Sequence, residues 1–110
     1  MPMRMLLMSF ALSLAAGAAL AQPFGDPAAG RRLAEARCSA CHAIGPGASG
    51  RSIPGVPAFA DVAAMPSTTQ LALQAFLRQP HPPMPDIVLT PAELDNVIAY
   101  ILSLRGEPRR

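Results

Sequence analysis

The stretch Cys38-Ser39-Ala40-Cys41-His42 decides how the rest of this chain is interpreted. It contains the only two cysteines of the 110-residue sequence, in the pattern C-x-x-C-H. Two thiols three positions apart near a helix end can each form a thioether with one vinyl group of the same porphyrin. The histidine that follows is then held under the ring, where an imidazole nitrogen can bind the iron. The pattern therefore predicts the covalent attachment of a haem.

Other uses of a C-x-x-C pair fit this sequence less well. A thioredoxin-like dithiol requires a βαβ context, and the chain has no strand pattern that would supply it. A zinc site usually needs further ligands, and the two cysteines and two histidines do not have the spacing of a zinc finger. A structural disulfide between cysteines this close together is rare. The histidine directly after the pair and the helix predicted before it both favour haem.

The first 21 residues have the features of a secretory signal peptide. A short basic start is followed by an apolar run and by the small-x-small cleavage site Ala19-Leu20-Ala21. A retained transmembrane anchor is the alternative, but the run is short for a bilayer span, which needs about 20 apolar residues. We therefore expect residues 1–21 to be removed, and residues 22–110 to form one periplasmic domain without stable membrane insertion.

The composition after Ala21 is nearly neutral and poor in large apolar side chains. It includes eight arginines and seven acidic residues, and the chain has no lysine. This balance gives no sign of nucleic-acid binding or of a basic face that would steer the protein to an acidic partner. A domain of this size buries only about 60–65% of its unfolded surface. A covalently held porphyrin would supply the missing apolar mass.

Helix caps and apolar spacing predict an all-α domain with three main helices and no strand. The three predicted helices are Pro27 to about Arg37 or Cys38, Ser67 to Gln79, and Pro91 to about Gly106. Asp26 and Thr90 cap the first and last, each with proline at the first helical position, and Ser67 is expected to cap the second with Gln70 as its capping-box partner. Residues 59–64 could form a short helical turn. Proline-rich loops join the helices.

The motif and the helices on either side of the domain resemble a class I c-type cytochrome of the short bacterial periplasmic kind. Gly30-Arg31-Arg32-Leu33-Ala34 is similar to the first helix of that family, and Asn96-Val97-Ile98-Ala99-Tyr100-Ile101-Leu102-Ser103-Leu104 is similar to its last helix. The resemblance implies the cytochrome c fold around one covalent haem c, bound through Cys38 and Cys41. It also implies that the first and last helices cross with Gly30 against Tyr100. We therefore include Tyr100 among the predicted cofactor-binding residues.

The resemblance implies His42 and Met84 as the two axial ligands of the iron. In the family, the second ligand is a methionine in the loop before the last helix, where this chain has His81-Pro82-Pro83-Met84-Pro85. A thioether is a soft, neutral ligand that raises the reduction potential. Met65 is the alternative methionine, but we expect it to pack in the core or against the haem. Ligation by His81 would give a bis-histidine haem, and we expect this side chain near the haem edge or in solvent.

Further residues are implied to support the haem. The carbonyl of Pro57, or alternatively of Pro54, is expected to accept a hydrogen bond from His42 and so to orient its ring. Seven apolar residues are candidates for the haem wall, although the sequence cannot separate them from general core: Phe59, Leu71, Phe76, Leu77, Ile87, Leu94 and Ile98. Arg51 or Arg78 could neutralise a haem propionate.

Together these features predict a periplasmic monohaem electron carrier and not an enzyme. It would be a monomer that exchanges single electrons with periplasmic redox proteins and has no nucleic-acid partner. The alternative is the haem c subunit of a specific periplasmic dehydrogenase or oxidase complex. A third hypothesis, a five-coordinate haem that binds a gas or reacts with peroxide, requires that Met84 does not ligate. Only His81 would then offer a distal acid–base group.

Overall fold

Four helices and two isolated backbone bridges form the secondary structure of the described part of the chain. The computed structural model describes residues 24–45, 50, 53–79 and 81–106. Its helices are α1 (Pro27–Arg37), α2 (Phe59–Ala64), α3 (Gln70–Arg78) and α4 (Pro91–Ser103). The bridges pair Ala43 with Gly50 and His81 with Met84, and these ranges contain no strand. The predicted all-α class is confirmed, and residues 59–64 form a short helix.

The predicted signal peptide, residues 1–21, lies outside the described residues, as does Arg51. Within the described ranges, no helix is both long enough and apolar enough to span a bilayer. The described residues start at Phe24, in the lead-in to α1.

Helix α1 ends where the C-x-x-C-H motif begins. A carboxylate oxygen of Asp26 accepts the backbone N–H of Ala28 at 2.9 Å, and proline occupies the first turn, as the sequence predicts. Cys38 caps the other end and donates its backbone N–H to the carbonyl of Ala34 at 2.8 Å. The backbone N–H of His42 then donates to the carbonyl of Cys38 at 3.0 Å. Both thiols and the imidazole therefore project from one tight turn.

Helix α3 begins two residues later than predicted. Its N-cap is Thr69, whose hydroxyl accepts the backbone N–H of Ala72 at 3.1 Å, so the predicted cap at Ser67 is wrong. The reason lies in the intervening residue, because Thr68 is buried and its hydroxyl donates to the carbonyl of Val62 at 2.6 Å. Tied to α2 in this way, the chain cannot enter the helix before Thr69. The end at Gln79 agrees with the prediction.

Helix α4 has the capping box that its sequence predicts. The N–H of Thr90 donates to Oε2 of Glu93 at 2.8 Å, and the N–H of Glu93 donates to Oγ1 of Thr90 at 3.2 Å. The apolar stripe is buried at Leu94, Val97, Ile98 and Ile101. The helix ends at Ser103, with Leu104 as its C-cap. Gly106 was predicted to follow the C-cap directly, but it lies one residue further on. Gly106 nevertheless has a φ of +87°, which glycine adopts readily.

Helices α1 and α4 cross in close contact at Gly30. A Cβ atom at this position would collide with the backbone carbonyl of Asn96 and would lie 2.9 Å from the Cβ of Tyr100. The side-chain oxygen of Asn96 also accepts the backbone N–H of Asp26 at 2.9 Å, so the start of α1 is tied to α4. The close crossing accounts for a glycine inside a helix, where it costs about 1 kcal/mol relative to alanine.

The core behind this crossing joins α4 to the loop that follows the motif. The Tyr100 hydroxyl donates to the carbonyl of Ile44 at 2.6 Å, and both residues are buried. Burial raises the pKa of Tyr100. Arg31 lowers this pKa and Glu35 raises it, both by smaller amounts, so the phenol remains a hydrogen-bond donor at neutral pH. This bond attaches the segment after His42 to the last helix.

Candidate haem-binding site

An apolar cleft opens between the motif, α3, α4 and the segment that precedes α4. Its open volume is about 810 Å³, including the mouth. The apolar lining comes from every helix, including Leu33, Phe59, Leu77, Val97 and Ile101, and from Ile87 in the segment before α4. Ligand sites are typically concave and mostly apolar with a few polar groups, and this cleft has that character. The functional side chains that line it are Cys38, His42, His81 and Met84.

The two cysteines are free thiols at the edge of the cleft. Cys38 is half-buried and lines the cleft, and Cys41 is exposed. Burial raises the pKa of the Cys38 thiol, and Arg37 opposes that shift only in part. Redox-active dithiols have a lowered thiol pKa, so this environment disagrees with a thioredoxin-like role. No cluster of three or more His, Cys, Asp and Glu side chains occurs among the described residues.

His42 is held in one orientation by a backbone carbonyl and an aromatic ring. Its Nδ1 lies 2.7 Å from the carbonyl oxygen of Pro57, the partner that the resemblance implied in preference to Pro54. A carbonyl can only accept, so Nδ1 is the protonated nitrogen and Nε2 has the lone pair of the neutral ring. The buried Phe59 ring packs against the imidazole with centroids 5.2 Å apart. The arrangement is that of a metal-binding histidine with its orienting partner.

Met84 enters the cleft from the segment between α3 and α4. It is half-buried, and its neighbours Pro85, Asp86 and Ile87 also line the cleft. The Met84 sulfur lies 3.0 Å from Nε2 of His81. A thioether and an imidazole nitrogen therefore belong to the lining of the same cleft, together with the thiol of Cys38. These groups and the apolar walls fit a covalently attached haem.

Comparison with known proteins agrees with this geometry. The sequence model of the family described as cytochrome C oxidase, cbb3-type, subunit III matches residues 25–101. This chain belongs to that family of c-type cytochromes.

The cytochrome is also similar to a curated relative. It is 40% identical to cytochrome c-552 from Bradyrhizobium diazoefficiens over 80 residues, which cover 73% of this chain and 76% of the relative. No solved structure matches the chain significantly. The family match and the relative together establish a class I c-type cytochrome with covalent haem c as its cofactor.

The structure corrects the expectation for Met65 in this cytochrome. Met65 caps the end of α2 and is 45% exposed, and it does not line the cleft. The prediction that it packs in the core or against the haem is therefore wrong. The cause is the turn after α2, in which the backbone N–H of Thr68 donates to the Met65 carbonyl at 3.0 Å and Thr68, not Met65, takes the buried position.

Tyr100 lies one layer behind the cleft of the cytochrome. It is buried but is not part of the lining, and its ring contacts Phe59 with centroids 6.5 Å apart. Phe59 in turn contacts His42. Tyr100 therefore reaches the site through Phe59 and through its hydrogen bond to Ile44, and its contribution is to position the residues that line the cleft.

The predicted wall residues divide into three groups. Four of them line the cleft: Phe59, Phe76, Leu77 and Ile87. Leu94 and Ile98 belong to the core and not to the lining, and Leu71 is 73% exposed on the outer face of α3. Arg78, one of the two arginines proposed for a propionate, is exposed and does not line the cleft.

Six leucine, isoleucine and valine residues of the lining were absent from the predicted wall: Leu33, Val62, Leu73, Leu89, Val97 and Ile101. Val97 and Ile101 belong to the buried apolar stripe of α4 and are one turn apart, so the spacing of the stripe was the sequence signal that could have indicated them. That signal could not separate core from cleft, because one apolar face of a helix can contact both.

Proposed function

We propose that this cytochrome is a periplasmic monohaem electron carrier whose haem is attached through Cys38 and Cys41 and ligated by His42 and Met84. The observation that supports it best is the pair of potential ligands on one apolar cleft. His42 is oriented by the Pro57 carbonyl so that Nε2 is available, and Met84 comes from the segment before the last helix. When bound, the haem would accept and release one electron at its iron.

The residues of the chain would keep both axial positions filled and exclude water. The Pro57 carbonyl and the Phe59 ring would hold the His42 imidazole in place, so that little moves when the charge of the iron changes. Leu33, Val97 and Ile101 would supply an apolar surface against the porphyrin. A metal with both positions occupied by protein has no place for a substrate, which is why we propose a carrier and not an enzyme.

Export is part of the proposal. Residues 1–21 would direct the chain to the periplasm and be cleaved after about Ala21, which leaves residues 22–110 as the cytochrome domain. The family match, which begins at residue 25, is compatible with that boundary. Haem attachment would take place after export.

A second function is supported by the family match. The matching family is described as a subunit of an oxidase, so this chain could serve as the haem c subunit of a specific periplasmic complex. The ligands would be the same, but the partner would be permanent. Affinity purification of the tagged holoprotein from its host distinguishes the two functions. A stoichiometric larger subunit would support the complex, and a monomer without partners would support the free carrier.

The ligand set is tested by the absorption spectrum of the purified oxidised holoprotein. We expect the weak near-red charge-transfer band of methionine sulfur bound to ferric iron. The band should vanish in Met84→Ala and survive in Met65→Ala, a matched control because Met65 does not line the cleft. A wild-type protein without the band, or a Met84→Ala variant that keeps it, would contradict ligation by Met84.

A further inference from the structure

His81 and Met84 face the same side of a tight turn. The two residues form an isolated antiparallel bridge, with Pro82 and Pro83 between them. Side chains of residues directly opposite each other in such a pair lie on one face and close together. Both side chains are half-buried and line the apolar cleft that also contains His42. The turn therefore presents two potential ligands to the cleft.

The His81 ring is held by its neighbours in a defined orientation. Its Nδ1 lies 2.9 Å from the carbonyl oxygen of Gln79, and its ring packs on Phe76 with centroids 3.9 Å apart and planes inclined by 34°. The carbonyl can only accept, so Nδ1 donates, and the neutral ring has its lone pair on Nε2. That nitrogen is the one that lies 3.0 Å from the Met84 sulfur.

The contact between Nε2 and the sulfur joins two electron-pair donors. Neither atom has a proton to donate to the other when the imidazole is neutral, so the contact itself is not a hydrogen bond between them. A nitrogen and a sulfur lone pair brought within 3.0 Å of each other could bind the same metal ion.

The two histidines of the chain make the same two kinds of contact. In each, Nδ1 is bound to a backbone carbonyl, Pro57 for His42 and Gln79 for His81, and an aromatic ring packs on the imidazole. A carbonyl partner on the far nitrogen is the usual support of a ligating imidazole. A histidine that merely stands at the mouth of the cleft would not need this arrangement.

We propose that His81 is a built-in alternative axial ligand, which takes the iron position of Met84 whenever the Met84 sulfur is absent. The proposal rests on the proposed ligation by His42 and Met84. In the neutral imidazole, Nδ1 keeps its proton and donates it in a hydrogen bond to the Gln79 carbonyl, and Nε2 supplies the lone pair to the iron. The result would be a bis-histidine haem with a lower reduction potential, since methionine ligation raises it.

The test compares Met84→Ala with Met84→Ala/His81→Ala, both with haem attached, at neutral pH. In the oxidised single variant we expect the near-red band to be lost while the low-spin absorption and electron paramagnetic resonance signals remain. Its midpoint potential should be lower than that of the wild type. The double variant should become high-spin, and added imidazole should restore the low-spin signals, which also shows that its cleft is intact.

Two results would overturn the proposal. If both variants are high-spin, His81 does not reach the iron. If both are low-spin, another group takes the position, and Met84→Ala/Met65→Ala identifies whether it is the remaining methionine. Neither result affects the proposed function, which depends on the near-red band of the wild type. Absence of that band from the wild type would instead remove the His42–Met84 ligand set itself.

Discussion

At the scale of single residues, the site depends on contacts that orient His42 from behind. The imidazole packs on Phe59, Phe59 packs on Tyr100, and Tyr100 donates a hydrogen bond to the Ile44 carbonyl. Each of these contacts restrains the next side chain, so the hydroxyl of Tyr100 supports the orientation of an imidazole that it does not touch. Burial raises the pKa of this phenol, which is already protonated at neutral pH with its ordinary value.

Replacement of Tyr100 by phenylalanine should lower the free energy of unfolding. The variant leaves the buried Ile44 carbonyl without its donor, and an unsatisfied buried polar group costs about 1–3 kcal/mol. Chemical denaturation of the holoprotein measures the loss. Ser103→Ala is the control, since it removes an exposed hydroxyl that donates to the Tyr100 carbonyl and should change stability by less than about 0.5 kcal/mol. Equal stability of the two variants would contradict this role of the Tyr100 hydroxyl.

At the scale of elements, the crossing of α1 and α4 places the motif relative to the last helix. The crossing is close because Gly30 has no side chain, and the same contact brings Asn96 within hydrogen-bond distance of Asp26. Intrinsic helix propensity and tertiary packing therefore make opposite demands at this position. Propensity favours alanine, whereas packing excludes it.

Gly30→Ala should destabilise the protein although alanine is the better helix former. The added methyl group collides with backbone atoms of α4, which cannot move aside as a side chain can, and overpacking of this kind costs about 1–3 kcal/mol. Ala28→Gly, at an exposed position of the same helix, should cost only the propensity difference of about 0.5–1 kcal/mol. Thermal unfolding compares the two, and a stabilised Gly30→Ala variant would exclude the close crossing.

The true start of α3 can be tested through its cap. Thr69→Ala removes the hydroxyl that accepts the N–H of Ala72 and should cost about 0.5–2 kcal/mol in the free energy of unfolding. Ser67→Ala should change the free energy of unfolding by less than about 0.5 kcal/mol, because Ser67 is exposed and lies before the N-cap residue Thr69. The reverse order of the two losses would restore the start predicted from sequence.

At the scale of the whole molecule, the chain is folded around its cleft. All four helices contribute side chains to the lining, so each helix directs part of its apolar surface toward the cleft. The core that remains is small, and Ile44 and Ile98 are its largest fully buried side chains. A bound porphyrin would complete the burial of surfaces that no other described segment covers.

A chain that cannot attach haem should fold poorly. We expect Cys38→Ala/Cys41→Ala to show no cooperative thermal transition by circular dichroism, because the apolar lining would remain in contact with water. Cys38→Ser/Cys41→Ser should fail in the same way, which separates the loss of haem from the loss of thiol packing. The wild-type holoprotein should unfold cooperatively. A cooperative transition in either double variant would show that the protein core is sufficient.

Local signals were enough to predict much of this protein from its sequence. Residues two to four positions apart define the C-x-x-C-H motif, the Asp26 cap and the Thr90 capping box, so each depends only on neighbouring residues. The family resemblance, based on short stretches, pointed to the Gly30–Tyr100 crossing and to the Pro57 carbonyl, and both contacts are present. The sequence thus determined the fold class and the cofactor, and it predicted His42 as the first ligand.

Only the tertiary structure decided which side chains meet. Thr68 is buried against α2, which moves the start of α3 and leaves Met65 half exposed. Leu71 and Leu77 belong to one helix and were predicted for one role, yet one faces solvent and the other faces the cleft. The alignment of His81 with Met84 likewise depends on the Gln79 carbonyl and the Phe76 ring. Caps and periodicity arise within a few residues, whereas the surface that a side chain faces depends on how distant segments pack.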